Sequence, residues 1–368
     1  MVRADDRRGP VSKSIATFDD FRDAIMAYRL PRVLIAGIEL DLFTAIGMDP
    51  WTIPDLACEM KVSERGLAIL CRNLAMAGLL KKQGETYRNN RLGATVLNAY
   101  HPSYRGDYLR LITSHWADWG RFLESVKSGL PLDHNEPEEP DYRRRFTWAM
   151  HHRTLETAPK IAAQIDLRGA RTLLDLGGGP GTYAMAFLSK NSMLRATVCD
   201  RPIALDVARE IASTHKAGAR LSYLPLDVIT EAIPGAYDVI WYSNVLHIYS
   251  AKDNQALFRR AMASLNPGGR LLIQDAFLHD RDGLFPEEAS LFAVSMLLFT
   301  ERGNTYSVAE TSVWLTDAGF ERIKVLRVKK GTEDWAGGIL EGRSPGTNGK
   351  TRARRIGSVK SSRSRSSH

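Results

Sequence analysis

Apolar positions divide the chain into two textures. Over residues 18–46 they recur at helical spacing, with Pro31 as an interruption. Residues 54–60 read as a short helix. Ser63 is placed to cap a second helix that runs to Ala77, and Gly78 stands at its exit. Residues 79–82 and 86–88 flank Gln83-Gly84-Glu85, which predicts a small hairpin. Helix, helix, hairpin is the order of a winged helix. Residues 106–165 read as connecting helices with a loop over 133–141. From Arg171 onward, short apolar runs at 172–176, 195–199, 220–224, 237–242 and 270–273 alternate with helical stretches. That alternation marks βαβ units around a parallel sheet. Residues 322–328 and 338–341 are two further strand candidates. The expected class is α/β. A flexible leader covers 1–16, a mainly α winged helix 17–105, connecting helices 106–165, a Rossmann-like domain 166–342 and a tail 343–368.

A winged helix raises the question of DNA. A reading helix exposes several polar or basic side chains to bases and phosphates. Residues 66–77 are apolar on most faces, and only Arg65, Arg72 and Asn73 could reach bases. A helix that is apolar nearly all round is buried, so this module is expected to pack on another helix layer or a second subunit. The net charge of +8 does not change that picture, because the chain from Glu341 onward carries eight Lys and Arg against one acid. Such a Gly/Ser/Arg-rich tail has too few apolar residues to bury a core and no aromatics for base stacking. No nucleic-acid partner is expected. Cys58, Cys71 and Cys199 are few, odd in number and without metal-type spacing. The first ten residues lack the apolar run of a secretory signal, and no stretch is apolar enough to span a membrane. A cytoplasmic protein is expected.

The sharpest segment is Leu173-Leu174-Asp175-Leu176-Gly177-Gly178-Gly179-Pro180-Gly181-Thr182. An apolar strand enters a glycine-rich turn and then a helix. Glycines there permit positive φ and close approach of backbone to a ligand, and the helix N-terminus offers free N–H groups. Asp200 ends the next strand, where an acid can accept hydrogen bonds from ribose hydroxyls. Asp227, just past the third strand, is placed to meet an adenine amino group. The third glycine of G-x-G-x-x-G is replaced by Thr182, and the turn carries no basic residue. An adenosine ligand without phosphate fits better than a dinucleotide.

At these residues the chain resembles class I S-adenosylmethionine-dependent methyltransferases, and more narrowly the plant caffeate-type and bacterial small-molecule O-methyltransferases. The resemblance rests on the GGGPG turn, Val245-Leu246-His247, Asn266-Pro267-Gly268-Gly269-Arg270 and Ala318-Gly319-Phe320. It implies a homodimer built on the winged helix, S-adenosyl-L-methionine as cofactor, and a small hydroxylated substrate, typically aromatic. It places the cofactor against Gly177, Gly179, Asp200, Asp227, Val228 and Ser243. It makes His247 the general base, with Asp275 as the acid that holds it, and sets Met150 and Met296 against a flat substrate. Two positions depart from the family: many relatives have Asp where this chain has Ile248, and plant relatives have Glu near Thr305. Two other functions stay open at this stage. One is a family member with other chemistry: N- or C-methylation, decarboxylation or hydroxylation. The other is a winged-helix regulator that senses the cofactor without catalysis.

Overall fold

The structure, a computed structural model, describes residues 15–133, 140–279, 282–329 and 338–346. The expected leader up to residue 14, part of the 133–141 loop and the tail from residue 347 lie outside the described residues.

Three helices open the chain: Phe18–Met26, Arg29–Glu39 and Leu42–Ile46. Thr17 and Asp20 form a reciprocal capping box on the first. Pro31 does not interrupt a helix. It sits in the first turn of Arg29–Glu39, where a backbone N–H would have no intrahelical acceptor. β1 (Trp51–Thr52) leads into the helix Ile53–Met60, and Ser63 caps the helix Glu64–Met76 as expected. β2 (Leu80–Gln83) and β3 (Thr86–Asn89) form the hairpin, and β1 joins its far side, so the wing has three strands in the order β1-β3-β2.

The helix Glu64–Met76 buries the stripe Leu67, Cys71 and Leu74 within the chain and leaves Ile69 and Met76 exposed. One helix layer over a three-stranded wing covers one side of a helix, not both. Phe18–Met26 goes further: none of its residues is buried, and Phe18, Phe21 and Ile25 face outward.

The connecting region supplies the helices Gly106–Ser114, Trp116–Gly120, Phe122–Ser128, Pro140–Thr154 and Thr157–Ala162. The larger sheet follows: β4 (Thr172–Leu176), β5 (Arg195–Asp200), β6 (Leu221–Pro225), β7 (Tyr237–Ser243), β8 (Leu265–Gln274), β9 (Glu321–Leu326) and β10 (Ile339–Arg343). Their order is β6-β5-β4-β7-β8-β10-β9. The β4, β5, β6, β7 and β8 pairs are parallel, whereas β10 runs antiparallel to both neighbours. All seven expected strands form, with shifted ends. β8 starts at Leu265 and takes in Asn266-Pro267-Gly268-Gly269 through a register shift opposite Tyr237 and Val239. β10 ends at Arg343, so that residue belongs to the sheet.

Alternation along these strands builds two cores. Leu173, Val239, Trp241, Leu272 and Ile339 pack on one face, and Leu174, Ile240, Tyr242, Ile273 and Leu340 on the other. Helices on both faces explain why the strands read as continuous apolar runs. Strand order reverses between β4 and β7. In open α/β sheets ligands gather at the carboxyl ends of the strands flanking such a switch.

Candidate active site

The carboxyl end of β4 becomes the glycine turn. Gly177, Gly179 and Gly181 have φ of 69°, 49° and 69°. The N–H groups of Gly177 and Gly178 both donate to the Cys199 carbonyl, at 2.8 and 3.2 Å, which ties the turn to β5. A Cβ on Gly177 would stand 2.8 Å from Val245 Cγ2, so glycine is required there for space as well as for φ. The helix Thr182–Lys190 starts with Gly181 at its cap position, and glycine has no side chain to cap with. Asp175, 2% exposed beneath the turn, takes over: its Oδ2 accepts the Ala184 N–H at 3.2 Å. Burial pushes the Asp175 carboxyl up to about 7; the Ala184 N–H pulls the other way, and the nearby Asp200 charge adds to the rise.

Asp200, half-buried at the end of β5, folds back onto the turn. Its Oδ2 accepts the Gly179 N–H at 2.7 Å and its Oδ1 the Arg201 N–H at 2.7 Å. Burial raises its carboxyl above the usual range, and these two N–H groups work against that. Gly179 and Asp200 are thus bonded directly, and Gly177 is tied to Cys199, the residue before Asp200. Ser243 ends β7, and its Oγ accepts from Asn244 Nδ2 at 3.0 Å. Asp227 lies past the outer strand β6, exposed, with Oδ1 accepting the Ile229 N–H at 2.9 Å. That bond is the largest cause of its lowered carboxyl pKa. Val228 beside it is buried, and its carbonyl accepts from Arg260 Nη2 at 2.8 Å. β5 and β6 are parallel neighbours, so Asp200 at the end of one and Asp227 past the end of the other share the carboxyl edge of the sheet.

His247 sits in the 3-10 turn Leu246–Ile248 after β7, and Asp275 directly follows β8. They are 7% and 2% exposed, and His247 Nδ1 is 2.7 Å from Asp275 Oδ1. A carboxylate on Nδ1 holds the ring proton there and leaves the Nε2 lone pair free to accept. Asp275 Oδ1 also accepts the Ala276 N–H at 2.8 Å, which fixes the acid itself. The Phe292 ring meets the imidazole edge-on with centroids 4.8 Å apart. From the far side, the Asn304 N–H donates to the His247 carbonyl at 2.9 Å. Ile248 is 39% exposed and Thr305 is 5% exposed, so neither position beside the base supplies an acid.

Met296, buried, stands one turn beyond Phe292 on the helix Glu287–Phe299. Met150, half-buried, lies on Pro140–Thr154 next to His151, whose Nδ1 is 2.8 Å from Thr182 Oγ1. Burial, then His152 and His215, lowers the His151 pKa to about 4, so this ring stays neutral. Arg153 Nη1 donates to Asn244 Oδ1 at 3.4 Å. Sequence reasoning missed Phe292, His151 and Asn304, which carry no motif. It quoted Asp175 without giving it a task, although an acid entering a glycine turn that lacks a capping side chain was a readable signal.

A model of the O-methyltransferase domain matches residues 123–321, and one of the O-methyltransferase dimerisation domain matches residues 23–99. The 3-hydroxy-5-methyl-1-naphthoate 3-O-methyltransferase of Streptomyces sahachiroi is 28% identical over 80% of this chain and 87% of its own. The tetracenomycin polyketide synthesis 8-O-methyl transferase of Streptomyces glaucescens is 29% identical over 84% of this chain and 93% of its own. Human N-acetylserotonin methyltransferase, solved in complex with SAM, shares the fold with a TM-score of 0.77 at 21% identity, covering 91% of this chain and 99% of that one.

Proposed function

This chain belongs to the O-methyltransferase family, and on that premise we propose that His247 is the general base that accepts the proton of the substrate hydroxyl, with Asp275 as its positioning partner. The enzyme is an S-adenosylmethionine-dependent O-methyltransferase of small aromatic or secondary-metabolite substrates. One observation carries the base assignment: the buried 2.7 Å contact between His247 Nδ1 and Asp275 Oδ1 at the ligand-gathering edge of the sheet.

The residues present fit the cofactor. A Cβ on Gly179 would find nothing nearer than Asp200 Oδ2 at 4.0 Å, so that side of the turn has room for a ligand. The side chain beside it, Asp200, is acidic, and the turn itself carries no basic residue. Such a site suits a nucleoside bearing a sulfonium and repels a pyrophosphate. Gly177 and Gly179 would hold it through backbone, Asp200 through the ribose, Asp227 and Val228 at the adenine end, and Ser243 near the reacting end. When bound, S-adenosylmethionine supplies an electrophilic methyl group.

His247 and Asp275 supply the proton path. A phenol titrates near 10 and a free imidazole near 6.5, so complete transfer between them is uphill by about 5 kcal/mol. Asp275 stabilises the imidazolium as it forms, and the buried setting strengthens that attraction. Holding two reactants in line contributes on the order of 7–11 kcal/mol. Phe292 restrains the imidazole plane, and Met150 and Met296 line the acceptor's flat faces.

The working unit is a homodimer, supported by the dimerisation-domain match and by the uncovered apolar face of Phe18–Met26. Its partner is a small hydroxylated molecule and not nucleic acid, in keeping with the apolar residues along Glu64–Met76. Its place is the cytoplasm: Cys58, Cys71 and Cys199 are all free thiols, and among the described residues no helix is long and apolar enough to cross a membrane. Offering hydroxynaphthoic acids and polycyclic phenols with S-adenosylmethionine carrying a labelled methyl group tests the substrate class. Labelled ethers are expected. Label found on ring carbon, or on amines alone, would overturn the reading.

A further inference from the structure

A cleft of about 550 Å³ opens at the opposite edge of the large sheet, where β4, β7 and β8 begin and β10 ends. Its walls have an unusual charge arrangement. Arg270 on β8 and Arg343 on β10 stand directly opposite each other, a like-charge pairing that strand association disfavours. One acid serves both: Glu341, 1% exposed, receives the Arg343 Nε–H at 2.8 Å and lies 3.5 Å from Arg270 Nη1. Lys324 on β9 is in register with the same Glu341, and Arg327 lies just beyond it. On the facing wall Arg168 is bound to Asp166 at 2.6 Å. The remaining acid, Asp238, already accepts the Arg171 and Thr172 N–H groups and the Asn266 side-chain amide.

The walls therefore hold five cations against three acids. One carboxylate cannot neutralise two guanidiniums, and neither Lys324 nor Arg327 has an acidic partner among the described residues. Burial, aided by Arg343, disfavours the charged form of Arg270, so the cluster gains from an added anion.

We propose that this cleft binds the phosphate groups of a small polyanion, at a site separate from those for the cofactor and the methyl acceptor. Guanidinium forks match the oxygens of a phosphate in two-point contacts, which a simple halide cannot exploit. The surplus of two positive charges suits a diphosphate, and the volume lies in the range of small-molecule sites. Glu341 is the organising group: it orders two arginines while leaving them under-neutralised.

Titration calorimetry of the full-length protein with sodium pyrophosphate at low ionic strength tests this. Saturable binding to one site is expected, weakening as salt is added. Lys324 is exposed on the edge strand β9 and Arg327 is exposed just past its end, so Lys324→Ser with Arg327→Ser leaves the fold and methyl transfer intact and should weaken pyrophosphate at least tenfold. ADP should bind with the same loss in that double variant. No saturable binding overturns the proposal. So does binding that the double variant retains at wild-type strength, which would trace the heat to an adventitious ion or to the basic residues beyond Gly346.

Discussion

Single residues decide how the glycine turn works. Gly177→Ala adds a Cβ 2.8 Å from Val245 Cγ2 at a φ of 69°. It should weaken S-adenosylhomocysteine binding by at least tenfold in calorimetry and also lower the melting temperature, because the clash and the left-handed φ both cost stability. Beneath it, Asp175 and His151 set opposing pH dependences. Folded Asp175 keeps its proton up to about 7, whereas an unfolded Asp releases it near 3.9. The folded state holds the extra proton across that window, so stability falls as pH rises through it, by about 4 kcal/mol in total. Folded His151 stays unprotonated down to about 4, whereas an unfolded His titrates near 6.5. Its contribution is present above pH ~6.5 and is lost as pH falls toward 4. The two slopes largely cancel between pH 4 and 6.5. Urea midpoints measured from pH 4 to 8 should therefore rise with pH in Asp175→Asn and fall more steeply than wild type in His151→Asn. Parallel curves for all three proteins would contradict this account. At this scale the chain was partly legible: Gly179 and Asp200 are motif residues that meet directly. His151 and Phe292 were not, because a lone histidine or phenylalanine on a helix takes its meaning from whatever the tertiary fold lays beside it.

Elements were read better than their ends. Every expected strand of the large sheet forms, because an apolar run bounded by turn residues has one comfortable place between two helix layers. The start of β8 was missed. Asn266-Pro267-Gly268-Gly269 carries turn chemistry, yet pairing resumes through it by a register shift. Pro31 was misread as a break because a proline in a helix's first turn gives the same signal as one between helices. The Phe18–Met26 helix is the clearest unfinished element: Phe18, Phe21 and Ile25 are 76%, 49% and 53% exposed. Apolar surface of that kind marks an interface. Replacing Phe21 and Ile25 together with Asp should shift light scattering from dimer to monomer at micromolar concentration and leave cofactor binding intact. A wild-type protein that is already monomeric would refute the dimer.

For the whole molecule, the order β6-β5-β4-β7-β8-β10-β9 explains why the chemistry collects at one edge. Strand order reverses between β4 and β7, and the residues following β4, β5, β7 and β8 are the glycine turn, Arg201 after Asp200, His247 and Asp275. Asp200→Ala removes the acceptor proposed for the ribose hydroxyls. It should weaken S-adenosylhomocysteine by roughly 1.5–3 kcal/mol, the usual value for hydrogen bonds to a charged group, read by calorimetry. The central claim is that one buried imidazole, backed by one acid, moves the proton. Its most direct test is single-turnover methyl transfer by His247→Ala on a phenolic acceptor, with cofactor affinity measured alongside. The account predicts a loss on the order of 10²–10⁴ in the transfer rate at nearly unchanged S-adenosylhomocysteine affinity, with a smaller loss for Asp275→Asn. Transfer at close to the wild-type rate by His247→Ala would contradict it.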